Sequence, residues 1–232
     1  MGLTEVIGKG QLAQAFFHQD DENTCVFASG VANSQETKDS AFLREENLLI
    51  KSLKKSNQKK FVYFSSCALS SKTYEKNAYY KHKEKMENII KQHSHNYYIF
   101  RVPQLFSDIK DHPTLINFLY TSIKNGQHFI IYRNAYRYVI DLNDVYRFVI
   151  HFLEKQPSCV TVDLANPYRY SIYEIVQVLE KLIGKSALYT IEEKTDGYML
   201  ELKYFNKFIK EYHLEFNCGK DYLEEKLKRR LN

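Results

Sequence analysis

Several things are scarce in this 232-residue sequence, and each scarcity narrows the possibilities. Its four cysteines, Cys25, Cys67, Cys159 and Cys218, lie far apart with no Cys-x-x-Cys pair. That speaks against a disulfide scaffold or a cysteine-built zinc site and fits reduced thiols. His18, His82, His93, His95, His128, His151 and His213 show no metal-ligand spacing, so no metal is expected. No apolar run approaches the ~18 residues of a membrane span. The start, Met1-Gly2-Leu3-Thr4-Glu5, lacks the charged and apolar regions of a signal peptide, so the expected location is cytoplasmic. Charge of one sign is also limited: 33 basic against 28 acidic residues leave an excess of +5. The densest stretches, 51–60 and 226–230, read as solvated helix faces, not a nucleic-acid stripe. Only four prolines, with 15% aromatics, argue against disorder. Repeats and low-complexity linkers are absent.

What is present is an alternation of short apolar runs and amphipathic stretches, the pattern of a parallel sheet with crossover helices. Strands are expected at Leu3–Ile7, Thr24–Ala28, Lys60–Ser65, Tyr97–Val102, Phe129–Tyr132 and Val160–Leu164. Helices are expected at Gln11–His18, Ser40–Ser56, Ala78–His93, Leu115–Lys124, Leu142–Glu154 and Ser171–Ile183. Ser171 with Glu174 forms a capping-box signature, and Gly184 a stop. The charged, Tyr/Phe-rich tail from Gly197 reads as helical. Residues 1–103 form the sheet-building part, and 104–232 a C-terminal lobe woven onto it.

Gly8-Lys9-Gly10-Gln11-Leu12-Ala13 lies between the first strand and the first helix. This is G-x-G-x-x-A in the context of a dinucleotide fingerprint. Gly8 permits the tight turn, Gly10 lets a pyrophosphate approach the backbone, and Ala13 lets helix and strand pack closely. A carboxylate for the adenosine ribose is expected about 20 residues on, at a strand end. None is there; Asp20-Asp21-Glu22 reads as a solvated turn.

The strand 61–65 ends in Ser65-Ser66-Cys67, and Tyr79-Tyr80-Lys81-His82-Lys83 opens a helix as Tyr-x-x-x-Lys. Tyr79 and Lys83 share one helix face. An ammonium beside a phenol favours phenolate and brings it toward acid/base work.

With these segments the chain resembles the short-chain dehydrogenase/reductase superfamily, in its nucleotide-sugar epimerase/dehydratase branch. Further segments carry the likeness: Ala28-Ser29-Gly30 as the turn beside the cofactor, Glu46-Asn47-Leu48-Leu49 as the next helix, Arg101–Phe106, Arg137–Val145, and Ala165-Asn166-Pro167 before Ser171–Ile175. The resemblance implies a shortened Rossmann-type α/β sheet flanked by helices, with a small C-terminal α/β substrate lobe. It implies NAD or NADP, held by Gly8, Lys9, Gly10, Gln11, Leu12, Ala28, Ser29, Gly30, Ser65, Tyr79, Lys83, Val102 and Pro103. It implies Tyr79 as general acid/base, Lys83 on the nicotinamide ribose and Ser66 on the substrate oxygen. Arg137 would meet a nucleotide-sugar diphosphate. Ser65-Ser66-Cys67 resembles the segment of GDP-fucose synthase, in which a Cys and a His act as acid/base groups; Cys67 and His112 are the candidates here.

Two β-α units of the family are missing after the first helix, and with them the adenosine-ribose strand. The first strand, Leu3–Ile7, is then expected at or near a sheet edge, covered by a partner subunit as in a homodimer or by the chain's own Tyr/Phe-rich tail, Tyr198–Phe216. The implied activity is NAD(P)-dependent reduction or epimerisation of a nucleotide-linked sugar in surface-polysaccharide synthesis. The missing strand also leaves open a non-catalytic dinucleotide- or nucleotide-sugar-binding protein, or a partner subunit without cofactor.

Overall fold

The structure, a computed structural model, describes residues 2–72, 74–108 and 114–231. It divides into two compact units, residues 1–102 with 145–164, and 103–144 with 165–232. The expected boundary at 103/104 marks where the second unit starts, but residues 145–164 return to the first.

The first unit is built on a parallel five-stranded sheet. Its strands are β1 (Glu5–Ile7), β2 (Thr24–Phe27), β3 (Lys60–Ser66), β4 (Tyr97–Val102) and, from later in the chain, β8 (Val160–Asp163). Their spatial order is β1-β2-β3-β4-β8, every pair parallel. β2 is buried along its whole length and β3 over its five central residues, as expected of strands covered on both faces. The helices are α1 (Gln11–Phe16), α2 (Asp39–Lys55), α3 (Ala78–His93) and α5 (Leu142–Lys155). Leu49 and Leu53 of α2, and Met86 and Ile90 of α3, pack with Phe61, Tyr63 and Ile99 of the sheet. α1 ends two residues earlier than its apolar pattern suggests. The chain turns there, and the Gln19 carbonyl accepts from Thr4 N–H at 2.9 Å.

β1 is the sheet edge, as the missing β-α units imply. Its one charge, Glu5, is held by Lys55 at 2.6 Å and Lys59 at 3.0 Å.

The second unit holds a three-stranded sheet of β6 (His128–Arg137), β9 (Tyr170–Ser171) and β10 (Leu188–Asp196), in the order β10-β6-β9. β5 (Gln104–Phe106) and β7 (Val139–Asp141) form a parallel pair. Helices α4 (Leu115–Lys124), α6 (Ile172–Ile183), α7 (Lys203–Glu211) and α8 (Tyr222–Leu231) complete it. The capping box at Ser171 is formed, and Gly184 closes α6 in the left-handed region. β5, β7, β9 and β10 go beyond the sequence expectation, as does the length of β6.

Helix α8 is tied down by buried polar contacts. Tyr222 donates to Asp144 Oδ2 at 2.6 Å and accepts from the Asp141 N–H at 2.9 Å. Arg230 pairs with Asp141 at 2.6 Å. Removing the hydroxyl takes that acceptor from the buried Asp141 N–H and leaves Asp144 with Lys226, at 2.7 Å, but without the Tyr222 donor, a loss of about 1–3 kcal/mol. Tyr222→Phe should therefore lower the urea midpoint with the same far-UV spectrum at zero denaturant. An unchanged midpoint would mean the hydroxyl does not anchor the helix.

Candidate active site

Because the strands of the first sheet are parallel, the turns that follow them emerge at one edge, their carboxyl ends. In open α/β sheets that edge is where ligands bind. It carries the 8–10 turn after β1, the 28–30 turn after β2, the Ser65-Ser66 end of β3 and Val102 at the end of β4.

The first two turns touch. Gly8 has φ +137°, and a Cβ there would lie 2.4 Å from the Ala28 carbonyl oxygen. Only glycine allows this backbone and this approach. Gly10 differs: a Cβ would meet nothing within 4 Å. Beside it, Gln11 Nε2 is buried with no hydrogen-bond partner, and the Lys9 carbonyl accepts from Gln14 Nε2. An open glycine face next to an unanswered donor suits an anionic group.

Tyr79 and Lys83 open α3, whose cap is the Asn77 side chain accepting from Tyr80 N–H. Both are buried. At the core of this region lies Glu45, a fully buried carboxylate on the inner face of α2. Its Oε1 accepts from Tyr63 OH at 2.7 Å and Lys83 Nζ at 3.1 Å. Its Oε2 accepts from Val31 N–H at 2.6 Å and His82 Nε2 at 3.1 Å. Burial alone would raise the Glu45 pKa, but His82, Lys83, Val31 and Tyr63 outweigh it and hold it down at about 2. The ionised carboxylate can only accept, so His82 carries its proton on Nε2.

Lys83 Nζ also donates to the Tyr63 oxygen at 3.2 Å and lies 5.8 Å from the Tyr79 ring centre. Burial lowers its pKa and Glu45 works against that. A Cβ at Gly30 would stand 2.5 Å from this ammonium and 3.0 Å from the Glu45 oxygen, so the turn after β2 is shaped by the same cluster. The expected phenolate-favouring effect of Lys83 is not realised in this arrangement. The Tyr79 pKa is pushed well up, by burial first and then by Tyr80 and the Glu45 charge. Burial leads that shift, and Lys83 is hydrogen-bonded to Glu45 and Tyr63 instead of to the phenol.

Ser66 caps the short 3-10 turn Cys67–Ser70 by accepting from Ala68 N–H at 3.4 Å, and remains part-exposed. Cys67 is a correction to the acid/base expectation. Its Sγ is fully buried and donates to the Arg101 carbonyl at 3.0 Å. Burial and Asp163 push its pKa far up, so it is a packed thiol and not a thiolate. Ser29 is bonded through its side chain and carbonyl to Arg44. Arg137, in the second unit, is engaged by Asp196 at 2.5 Å and by the Tyr136 and Asp196 carbonyls. Pro103 begins that unit. His112 lies outside the described residues. Among the described residues no cluster of three or more side chains could hold a metal ion.

No family model and no curated protein matches the sequence. The architecture does match. The chain has the fold of the nucleotide-sugar epimerases and dehydratases. An epimerase from Methanothermobacter thermautotrophicus superposes with a TM-score of 0.72 at 15% identity, over 90% of this chain and 71% of that one. UDP-glucose 4-epimerase from Bifidobacterium longum, in complex with NAD+ and UDP, gives 0.70 at 14% identity, over 95% and 79%. The dTDP-glucose 4,6-dehydratase of Bacillus anthracis, in complex with NAD, gives 0.65 at 16%, over 83% and 67%. On this fold the present chain is the shorter partner in each comparison.

Sequence reasoning did not single out Glu45. The signal was available: Phe42, Glu45, Leu49 and Leu53 lie at helical spacing on one stripe, so a carboxylate interrupts an apolar face. Such a charge must find cations or donors inside.

The depressed Glu45 pKa makes a stability statement. Its contribution is complete above the unfolded value near 4.5 and is lost as pH falls toward about 2. Glu45→Gln should flatten this part of the acid-destabilisation curve and lower stability at pH 7, because Lys83 loses its counter-charge. Equal pH slopes in the two proteins between about pH 4.5 and 2 would contradict the assignment.

Proposed function

We propose that the chain is an NAD(P)-dependent oxidoreductase acting on a nucleotide-linked sugar, a keto-sugar reductase or an epimerase. The observation that carries the reading is the open glycine turn and the Ser65-Ser66 end at the carboxyl edge of one parallel sheet, with Lys83 Nζ set against the turn after β2. Solved structures of the same fold suggest the chemical class: they include UDP-glucose and UDP-N-acetylglucosamine 4-epimerases, and complexes with NAD or NADPH. Cytoplasmic surface-polysaccharide synthesis, and a homodimer joined across the β1 edge, belong to the same reading. No described helix is long and apolar enough to cross a membrane.

The residues fit a nicotinamide dinucleotide at its diphosphate. Gly10 leaves the backbone open there, Gly8 allows the tight turn against Ala28, and Gln11 Nε2 is a donor without a partner. When bound, the nicotinamide gives or takes the hydride. The chain's own groups handle the proton. Tyr79 exchanges it with the substrate oxygen, and the part-exposed Ser66 hydroxyl hydrogen-bonds that oxygen and orients the carbon. Arg137 serves the diphosphate of the sugar nucleotide by exchanging Asp196 for phosphate, a planar fork suited to either.

A non-catalytic binding protein is the second reading. The capture of Lys83 by Glu45 and the bare β1 edge favour it, since both remove parts of an ordinary oxidoreductase site.

Two variants separate these readings. Gly10→Val keeps the fold, because a Cβ there meets nothing, but fills the diphosphate face. NADH or NADPH affinity, read by fluorescence titration, should fall at least about a hundredfold. Tyr79→Phe should leave that affinity nearly unchanged and reduce turnover of a nucleotide-linked keto-sugar by about 100-fold or more. Unchanged binding in Gly10→Val overturns the cofactor assignment. Binding without turnover in the unmodified protein favours the second reading.

A further inference from the structure

A second guanidinium stands against Tyr136 beside that of Arg137. The Arg137 side chain donates to the Tyr136 carbonyl at 2.9 Å, to the Asp196 carbonyl at 3.3 Å and to the Asp196 carboxylate at 2.5 Å. Arg169 lies over the Tyr136 ring, 4.5 Å from its centre, and donates to the Tyr198 carbonyl at 3.3 Å. Both arginines therefore grip the same two pieces of chain, Tyr136 on β6 and the segment 196–198 where β10 ends. Those pieces touch: a Cβ at Gly197 would stand 3.3 Å from the Tyr136 carbonyl oxygen. Strand β9 brings Arg169 there, because Tyr170 pairs with Arg137 and Ser171 with Tyr136. All of these residues belong to the second unit.

The charges of this group do not balance. Asp196 is ion-paired with Arg137. Arg169 has no carboxylate partner among the described residues; its contacts are a ring face and a carbonyl. A guanidinium carries several N–H donors and Arg169 spends one on Tyr198, so donors remain for a ligand. The group is nonetheless held, since the ring fixes its plane and the carbonyl one of its ends. Access is open as well. The Arg137 and Asp196 side chains keep 26% and 24% of their surface, and Arg169 is part-exposed. An ion pair with that much solvent contact is weak, so its carboxylate is exchangeable. Two planar forks and one exchangeable anion suit a ligand with two phosphates, one for each fork.

We propose that Arg169 is a second anion-binding residue beside Arg137, and that Asp196 is the resident anion of the site, displaced when a diphosphate takes both guanidiniums. This rests on the reading of the chain as an enzyme of nucleotide-linked sugars, and gives the second unit its ligand class: a diphosphate ester, bound without the glycine turn. The exchange breaks and makes no covalent bond. Asp196 also sets a threshold. A ligand with one phosphate only replaces one anion by another, whereas a diphosphate answers the unpaired Arg169 too.

Inorganic pyrophosphate is the probe. It is titrated calorimetrically into the full chain carrying Gly10→Val, in which the other open face is filled. Pyrophosphate should bind at least about tenfold more tightly than inorganic phosphate. Adding Arg169→Gln should weaken it at least about tenfold, the scale of a charge-assisted hydrogen bond. Adding Asp196→Asn should tighten it about threefold or more, because the competing carboxylate is gone. A merely structural Arg137–Asp196 pair would give no such gain. Absent pyrophosphate binding, or equal affinity for phosphate, overturns the proposal. Unchanged affinity in Arg169→Gln overturns the role of Arg169, and unchanged or weaker affinity in a folded Asp196→Asn overturns that of Asp196. Circular dichroism checks folding; if Asp196→Asn does not fold, the variant at part-exposed Arg169 and the phosphate comparison still decide. NADH binding to the unmodified chain is scored separately. A chain that binds NADH but no pyrophosphate in the Gly10→Val background keeps the oxidoreductase reading and loses this site. Pyrophosphate binding without NADH binding keeps the site and loses that reading.

Discussion

The first unit depends on one buried carboxylate. Glu45 brings together α2, α3, β3 and the turn after β2 by accepting from His82, Lys83, Tyr63 and Val31 N–H. A buried charge is tolerated only when its acceptor capacity is filled. Here both oxygens accept two bonds. The cost of burying Glu45 is what fixes the rotamer of Lys83, the tautomer of His82 and the smallness of Gly30. Pairs of this kind are weak sources of net stability but strong determinants of arrangement, since removing one member leaves the other uncompensated.

The same sheet explains where a ligand can be received. Parallel strands put four turns at one edge, and the glycine turn and the Ser65-Ser66 end lie among them. The sheet stops at β1, so the region that would hold an adenosine ribose in a full dinucleotide fold has no strand among the described residues. The open face at Gly10 remains. The cofactor is thus proposed to be gripped chiefly through its phosphates and its nicotinamide half.

Much of this was legible beforehand because it is local. Tyr97–Val102 and Ala78–His93 are aromatic or amphipathic runs with clear ends, and the Ser171/Glu174 cap and Gly184 stop depend on neighbours in sequence. β10 was not legible, because Leu188–Asp196 is mostly exposed and charged and has almost no alternation to read. It is a strand because β6 pairs with it. The short β5 and β7 exist for the same reason. At the site, the spacing of Tyr79 and Lys83 placed them on one face correctly. The direction of the Tyr79 shift was misread, because burial, which leads it, and Glu45, on another helix, cannot be seen from that spacing. Cys67 looked reactive by its neighbours and proved to be buried against the Arg101 carbonyl.

Glu45 and Lys83 act as one coupled unit. A double-mutant cycle in folding stability tests it most directly, using Glu45→Gln, Lys83→Met and the double variant. The expected result is strong non-additivity, with a coupling of about 2 kcal/mol or more, and a double variant no less stable than Glu45→Gln alone. Additive losses to within about 0.5 kcal/mol would contradict it, and would mean that Lys83 is free of the carboxylate in solution.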